Sequence, residues 1–442
     1  MTMKRIAMLL MCMLLLTTML SASAETSEIE YPKTMTVWFK KLFSDEVNEN
    51  FVKRCEEFGE LHGIDIQVTL MNVQDMASEF AANLEAGVVP DLAMTADYLV
   101  INLYGDDMPF EDLSDVAGRI EKNNQREFMS SAISASSFNG GLYRIPFNYS
   151  TAMLYVRKDL MEKAGFNTSK EWTFDRVFEI APMLSDSQNG IYGLAVGMGS
   201  NDNDGLEFLM SAILANGGAL FDDEGNPTAT RPENIEVIQQ YIDVWNAGGI
   251  SPEALSANDA WNNQSYLMGT QGICWNAPSL ANALKGDDYD ELRENTLITM
   301  APVGDLGRVN YVDWCFGFSV FKDCQSVDAS KELLAFLYEG DWYDQYFDDC
   351  APTVIPVFTD SDTKGVWTEE VNAKVLKNVK ECNTYPFGYS SKNLDGIKNG
   401  ILVHNQWLLN TAVQRCMIDG MSVEDSMAML QKEMEAAIAA AK

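Results

Sequence analysis

At four places in this sequence an aromatic ring stands directly beside an amide or a carboxylate: Asp97-Tyr98, Phe147-Asn148-Tyr149, Trp275-Asn276 and Asp313-Trp314. That pairing suits recognition of a polyhydroxylated ring. A flat apolar face covers the C–H side of a pyranose, while amides and carboxylates bond its hydroxyls. Each pair alone serves a core or a surface equally well. Together, each at the end of an expected strand or crossover, they favour a cleft. Tyr385, Phe387 and Tyr389 are further candidates, whereas Trp38 lies inside the first expected strand and reads as core.

Catalysis finds less support. His62 and His404 are the only histidines, too few for a zinc site of the usual kind. There is no Gly-x-Ser-x-Gly elbow, phosphate-binding glycine loop or Gly-x-Gly-x-x-Gly, and no cofactor or metal is called for. A secreted glycosidase needs only two carboxylates a few ångströms apart, and 65 acidic residues leave room for such a pair, so it stands as the alternative. Gly199-Ser-Asn-Asp-Asn-Asp-Gly205 raises the question of calcium. Its first and twelfth EF-hand positions would be Ser200 and Ser211, so a plain loop near the cleft is expected.

Elements of two periods must position these residues. Met35–Trp38 reads as a strand. Phe51, Cys55, Phe58 and Leu61 recur at helical spacing up to Gly63; Ile64, Ile66, Val68 and Leu70 alternate as a strand; Met76, Phe80 and Leu84 mark a second helix before Gly87; Pro90–Met94 is a third strand. This series predicts a parallel, doubly wound α/β domain with ligands beyond the carboxyl ends of its strands. Tyr143–Leu160 is extended and then helical, and Pro146 favours an edge or crossover strand there. Ile235, Ile238, Ile242 and Trp245 form one apolar helix face. Ser422 with Asp425 caps a closing amphipathic helix over Val423–Ala441.

Lys4-Arg5, the apolar run Ile6–Leu20 and Ser21-Ala22-Ser23-Ala24 have the form of a secretory signal peptide, so export of a soluble chain starting near Glu25 is expected. The remainder is long enough for two domains. A net charge of −34 disfavours nucleic acid and anionic membranes as partners. Seven cysteines remain past the leader, an odd number without a Cys-x-x-Cys, which reads as mostly buried thiols with room for one bridge among the C-terminal set.

Several of these stretches resemble family 1 extracellular solute-binding proteins, the maltose-binding-protein-like receptors of ABC transporters. Tyr143-Arg-Ile-Pro146 is similar to the interdomain strand, and Lys158-Asp-Leu160 to the helix that follows it and ends at Ala164-Gly165. Ala86-Gly87-Val-Val-Pro90-Asp91 matches a signature near the third strand. Trp172-Thr173-Phe174-Asp175 looks like the family's helix start with its Trp displaced. Gly217-Gly-Ala-Leu-Phe-Asp-Asp-Glu-Gly225 resembles its hairpin, and Thr270–Asn276 the strand that carries a ligand-stacking Trp, which makes Trp275 the leading contact.

The resemblance implies a two-lobed periplasmic-binding-protein-like α/β fold, doubly wound sheets joined by a hinge. It divides the chain into a leader over 1–24, a first lobe over 25–148, a second over 149–302, a return segment over 303–352 and a helical part over 353–442 packed mainly on the second lobe. Crossovers are expected near Pro146, Pro302 and Pro352. The implied function is capture of a carbohydrate between the lobes for an ABC permease, by a monomer at the cell envelope. The lipidated cysteine of many Gram-positive members is not carried over, because Cys12 lies inside the apolar run.

Overall fold

The computed structural model describes residues 29–42, 45–72, 76–96, 108–138, 140–200, 202–311, 314–383 and 394–441. The leader, Asp97, Tyr98, Asp313, Tyr385, Phe387 and Tyr389 lie outside the described residues, as does the Trp314 side chain.

The chain opens with Thr34–Lys40 (β1), Asp45–His62 (α1), Asp65–Met71 (β2), Met76–Glu85 (α2) and Leu92–Thr95 (β3). β1 pairs in parallel with both β2 and β3, as the alternation of periods predicts. Phe51, Cys55 and Phe58 are buried, but Leu61 is 68% exposed, so the apolar stripe of α1 ends a turn early. β2 is an edge strand, and of its expected inward face Ile66 and Val68 are only half-buried and Leu70 is exposed.

Ile145–Ser150 (β4) leads through Thr151-Ala152 into Met153–Arg157 (β5). Next come Tyr192–Ala195 (β6), Asn203–Ala215 (α3), Pro232–Asn246 (α4), Trp261–Leu267 (α5), Gln271–Asn276 (β7) and Thr296–Thr299 (β8). The chain then forms Trp314–Ser319 (β9), Val327–Phe336 (α6), Trp342–Cys350 (α7), Ile355–Pro356 (β10) and Glu370–Glu381 (α8). Leu394–Asn405 (α9), Leu408–Asp419 (α10) and Val423–Ala441 (α11) close it. Two principal sheets result, in the orders β10-β4-β9-β3-β1-β2 and β8-β5-β7-β6.

Each sheet owns a core. Phe39, Phe51, Phe147, Phe318 and Tyr343 fill the first, and Phe174, Phe208, Tyr241, Trp275, Leu409 and Met427 the second. Each such large apolar side chain contributes about 1.5–3 kcal/mol by leaving water. The far face of the second sheet, with Tyr155, Tyr266 and Cys274, is continuous with the first core.

Of the edge or crossover position expected from Pro146, β4 takes the crossover: it is flanked on both sides in the first sheet and passes directly into β5 of the second. The missing N–H is accommodated by a bulge, because the register shifts between Phe316 and Gly317, and Gly317 lies opposite Pro146. The Pro90-Asp91 signature has a structural explanation as well. Asp91 is fully buried, and its carboxylate accepts bonds from Thr36 N at 2.8 Å, Thr36 Oγ1 at 3.2 Å and Gln325 N at 3.0 Å, tying β1 to β3 and to the loop before α6.

Two crossovers fall later than expected. Pro302 precedes a small hairpin, Val303-Gly304 with Gly307-Arg308, held on the second lobe by Val303 N to Trp172 O at 2.9 Å and Leu306 N to Ala215 O at 2.8 Å. The chain reaches the first sheet only between Tyr311 and Trp314. Pro352 marks no change of lobe, since Ile355-Pro356 pair with β4 and Val375, Leu376 and Val379 of α8 lie in the first core. The return to the second lobe comes at Cys382, so the part after 353 divides between the lobes. The C-terminal bridge is absent as well: the seven described cysteines are free thiols, six of them buried.

Candidate functional site

The two sheets turn their strand ends towards the crossings. On the first, Trp314 pairs with Ser150 and Gly317 with Thr95, so the start of β9 shares an edge with the carboxyl ends of β1, β3 and β4. On the second, Asn276 pairs with Met153, Cys274 with Ala195 and Thr299 with Leu154, which brings the carboxyl ends of β6, β7 and β8 to the start of β5. Ligands of open α/β sheets sit beyond such ends. The polar groups gathered at these two edges are therefore the candidate site.

Lys40 ends β1. Its Nζ lies 3.8 Å from the centre of the Phe316 ring, and burial lowers its pKa to about 8. No hydrogen bond or ion pair holds it among the described residues.

Across from β6 the polar loop expected over 199–205 turns into helix at Asn203. Asp202 caps α3, accepting Gly205 N at 3.2 Å, and Asp259 accepts Asn203 N at 2.8 Å. The loop packs closely on the first turn: a Cβ on Gly205 would stand 1.7 Å from Gly197 O, and one on Gly197 2.0 Å from Asp202 Oδ2. Asp204 Oδ2 accepts Asn262 Nδ2 at 2.7 Å, and the same amide donates to Trp275 O at 2.9 Å, tying α3 to the end of β7. Glu207 accepts the Asn203 amide.

Burial raises all four carboxyls, and repulsion from acidic neighbours adds to it at three of them, taking Asp202 to about 6, Asp204 to about 7, and Glu207 well above the usual range. Among the described residues no group of three or more side chains is arranged to hold a metal ion.

At the crossings, Thr151, Asn310 and Asn378 are fully buried and bonded together. Asn310 Nδ2 donates to Thr151 Oγ1 at 2.7 Å and Ala152 O at 3.0 Å, and Asn378 Nδ2 to the same atoms at 2.9 and 3.1 Å. Main-chain bonds from Asn310 N to Asn383 O at 3.3 Å and from Asn383 N to Arg308 O at 2.9 Å join the second and third segments. Three chain segments thus meet in one polar hinge between two sheet-bearing lobes.

Residues 53–375 match the family described as bacterial extracellular solute-binding protein. This chain belongs to that family. It is 22% identical over 292 residues to a protein of Brucella abortus (strain 2308) described as a binding protein, covering 66% of this chain and 68% of that one. It is 25% identical over 244 residues to the arabinooligosaccharide-binding protein of Bacillus subtilis (strain 168), covering 54% of each. Its fold is similar to that of maltose-bound MalE3 of T. maritima, with a TM-score of 0.72, 18% identity, and coverage of 91% of this chain and 99% of the other.

In this solute-binding protein the described residues anticipated from sequence separate into two groups. Trp275 does not present its ring to a cleft. It is 1% exposed in the second core, edge-on to Phe208 at 5.7 Å, because alternation along β7 turns it with Ile273 towards the helices. Phe147 and Tyr149 are likewise core: Phe147 is surrounded by Phe51, Phe318 and Tyr343, and the Tyr149 hydroxyl shares a hydrogen bond with Ser131 Oγ at 2.6 Å. Asn148 and Asn276, on the opposite faces of their strands, remain candidates; both are buried, and among the described residues Asn276 Nδ2 has no oxygen or nitrogen acceptor.

Sequence reasoning missed Lys40, Asp204, Glu207, Asn262 and the hinge asparagines. The carboxylates of 199–205 were in view, but against a calcium pattern. Asp259 and Asn262, which complete the cluster, are more than fifty positions away.

Proposed function

We propose that this solute-binding protein captures a carbohydrate between its lobes and delivers it to an ABC import permease without chemical change. The observation that carries the reading is the family match spread over a fold in which two sheets turn their ligand-bearing edges to one three-segment hinge. A receptor of this shape works by closure, since contacts from both lobes exist together only in the closed state. The arabinooligosaccharide-binding relative and the maltose-bound fold neighbour support a sugar as the solute. Export follows from the signal-peptide pattern. Among the described residues no helix is long and apolar enough to cross a membrane.

Thermal unfolding of the mature chain against a panel of mono- and oligosaccharides tests this, because a ligand that binds only the folded state raises the midpoint. A panel without any shift overturns it. The paired carboxyls Asp204 and Glu207 give the glycosidase alternative its specific residues. Incubation with oligosaccharide should leave the sugar intact; products whose formation is abolished by Glu207→Gln would establish the enzyme instead.

A further inference from the structure

The carboxyl edge of the second sheet carries negative charge that the protein does not neutralise. Asp202, Asp204 and Glu207 each feel acidic neighbours from the set Asp202, Asp204 and Asp259, and among the described residues no Lys, Arg or His acts on any of the four. Asp202 and Asp259 are engaged by main-chain N–H groups at the start of α3. Asp204 and Glu207 are not: each has one side-chain amide as donor, which leaves one oxygen of each carboxyl unused among the described residues. Glu207 is 2% exposed. A buried carboxylate without a counter-charge either takes up a proton or meets a cation from outside.

A second observation comes from β7. Asn276 is 2% exposed, and among the described residues its Nδ2 finds no oxygen or nitrogen acceptor, only the weakly accepting Cys274 thiol. That thiol also feels the Asp204 carboxylate, which puts the unused amide and one member of the acidic pair near the same sulfur atom, and Asn262, bonded to both Asp204 and Trp275 O, joins that carboxylate to the end of β7. An unspent donor beside unspent acceptors matches a ligand that offers both kinds of group. A neutral sugar supplies hydroxyls for either, whereas an ammonium on the same frame adds the missing charge together with three donors.

We propose that the solute bears an ammonium group on a hydroxylated frame, an amino sugar or an oligosaccharide containing one, with Asp204 and Glu207 holding the cation and Asn276 donating to a neighbouring oxygen. This rests on the carbohydrate-binding reading above and narrows it.

The surroundings agree with an external cation. Among the described residues the groups facing the pair are Asp202 and Asp259, Cys274 on β7, Tyr311 on the second crossing segment, and, one layer out, Tyr241 on α4 and His404 on α9, which is bonded to the Tyr311 hydroxyl at 3.2 Å. Burial lowers His404 to about 4, so it brings no positive charge near neutrality. An ammonium would draw protons off the raised carboxyls, so binding should release protons and strengthen as pH rises.

Calorimetry on the mature chain should compare glucosamine, galactosamine and mannosamine, and their β-1,4 and α-1,4 oligomers where available, with the matching neutral sugars. Near pH 7.5 an amino sugar should bind roughly tenfold tighter or better than its neutral counterpart. The preference should shrink near pH 5.5, and buffers of different ionisation heat should reveal proton release. Asp204→Asn and Glu207→Gln should each remove the preference, and their denaturation midpoints should not fall, since each removes a repulsive charge.

Neutral sugars bound as tightly as amino sugars overturn the proposal and leave the carbohydrate reading standing. Failure of both series overturns both. A thermal shift with calcium chloride alone that Asp204→Asn removes assigns the carboxylates to a metal ion, and also overturns it.

Discussion

Asn378 Nδ2 lies 2.9 Å from Thr151 Oγ1, and both residues are fully excluded from solvent where the lobes join. Asn310 Nδ2 reaches the same hydroxyl at 2.7 Å, so side-chain amides from two different segments hold the first crossing. Asn378 Oδ1 also accepts Ala301 N at 2.9 Å, which ties the end of β8 to the same point. The closure proposed above would turn about these atoms without breaking them, because a buried amide left without a partner costs about 1–3 kcal/mol.

Asn378→Ala removes one of the two amides and leaves Ala301 N without its acceptor. The denaturant midpoint should fall by an amount equivalent to about 1–3 kcal/mol. Asn310→Ala should cost a similar amount, and the double variant should depart from additivity, because the two amides share both acceptors. Strict additivity would show that the residues do not act as one hinge. Small-angle scattering with and without a saturating solute reads the functional side: the compaction expected of the native chain should be altered in either variant.

Trp275→Ala should act on the fold and not on the solute. The ring is enclosed by the second core, so its loss should lower stability by roughly 3–5 kcal/mol. Asn276→Ala, one residue on, should weaken binding with little change in midpoint. The reverse pattern, affinity lost at Trp275 and midpoint lost at Asn276, would return the indole to the cleft.

The contrast between these neighbours shows what the sequence could and could not reveal. Parallel strands, helix ends and the closing helix capped by Ser422 were legible because hydrophobic period and capping chemistry are local. Which face of a buried strand meets a ligand is not local. Every residue of β7 is buried, so its pattern carries no inside or outside, and Trp275 and Asn276 could not be told apart. The crossovers were misjudged for a related reason. Proline marks a change of backbone course, but whether the chain then changes lobe depends on distant partners, Trp172 and Ala215 for the hairpin after Pro302 and β4 for the segment after Pro352.

Asp91 separates a structural signature from a functional one. Asp91→Ala would strip Thr36 and Gln325 of their buried acceptor and should destabilise the protein by about 3 kcal/mol. Solute affinity of the fraction that remains folded should be close to native. A stable variant with lost affinity would place this carboxylate among the binding groups.

The acidic cluster makes the ligand-free protein's stability depend on pH in an unusual direction. Asp202 and Asp204 titrate at about 6 and about 7 in the folded protein, and Glu207 is raised well above its usual value. In the unfolded chain such groups hold their protons only near pH 4. The folded state therefore binds protons first as the pH falls, so stability should increase from about pH 8 to about pH 6. His404 opposes this only at lower pH: titrating at about 4 folded against 6.5 unfolded, its contribution is intact above 6.5 and is lost as pH falls from there towards 4. Asp112, Asp159, Asp222 and Asp360, held below 3.8, lose their contributions at more acidic pH still. Thermal midpoints of the ligand-free protein should rise on going from about pH 8 to about pH 6 and rise less in Glu207→Gln, which also controls for relief of the overall negative charge. A midpoint that falls over that interval, or a variant with the native slope, would show that the cluster is not under electrostatic strain.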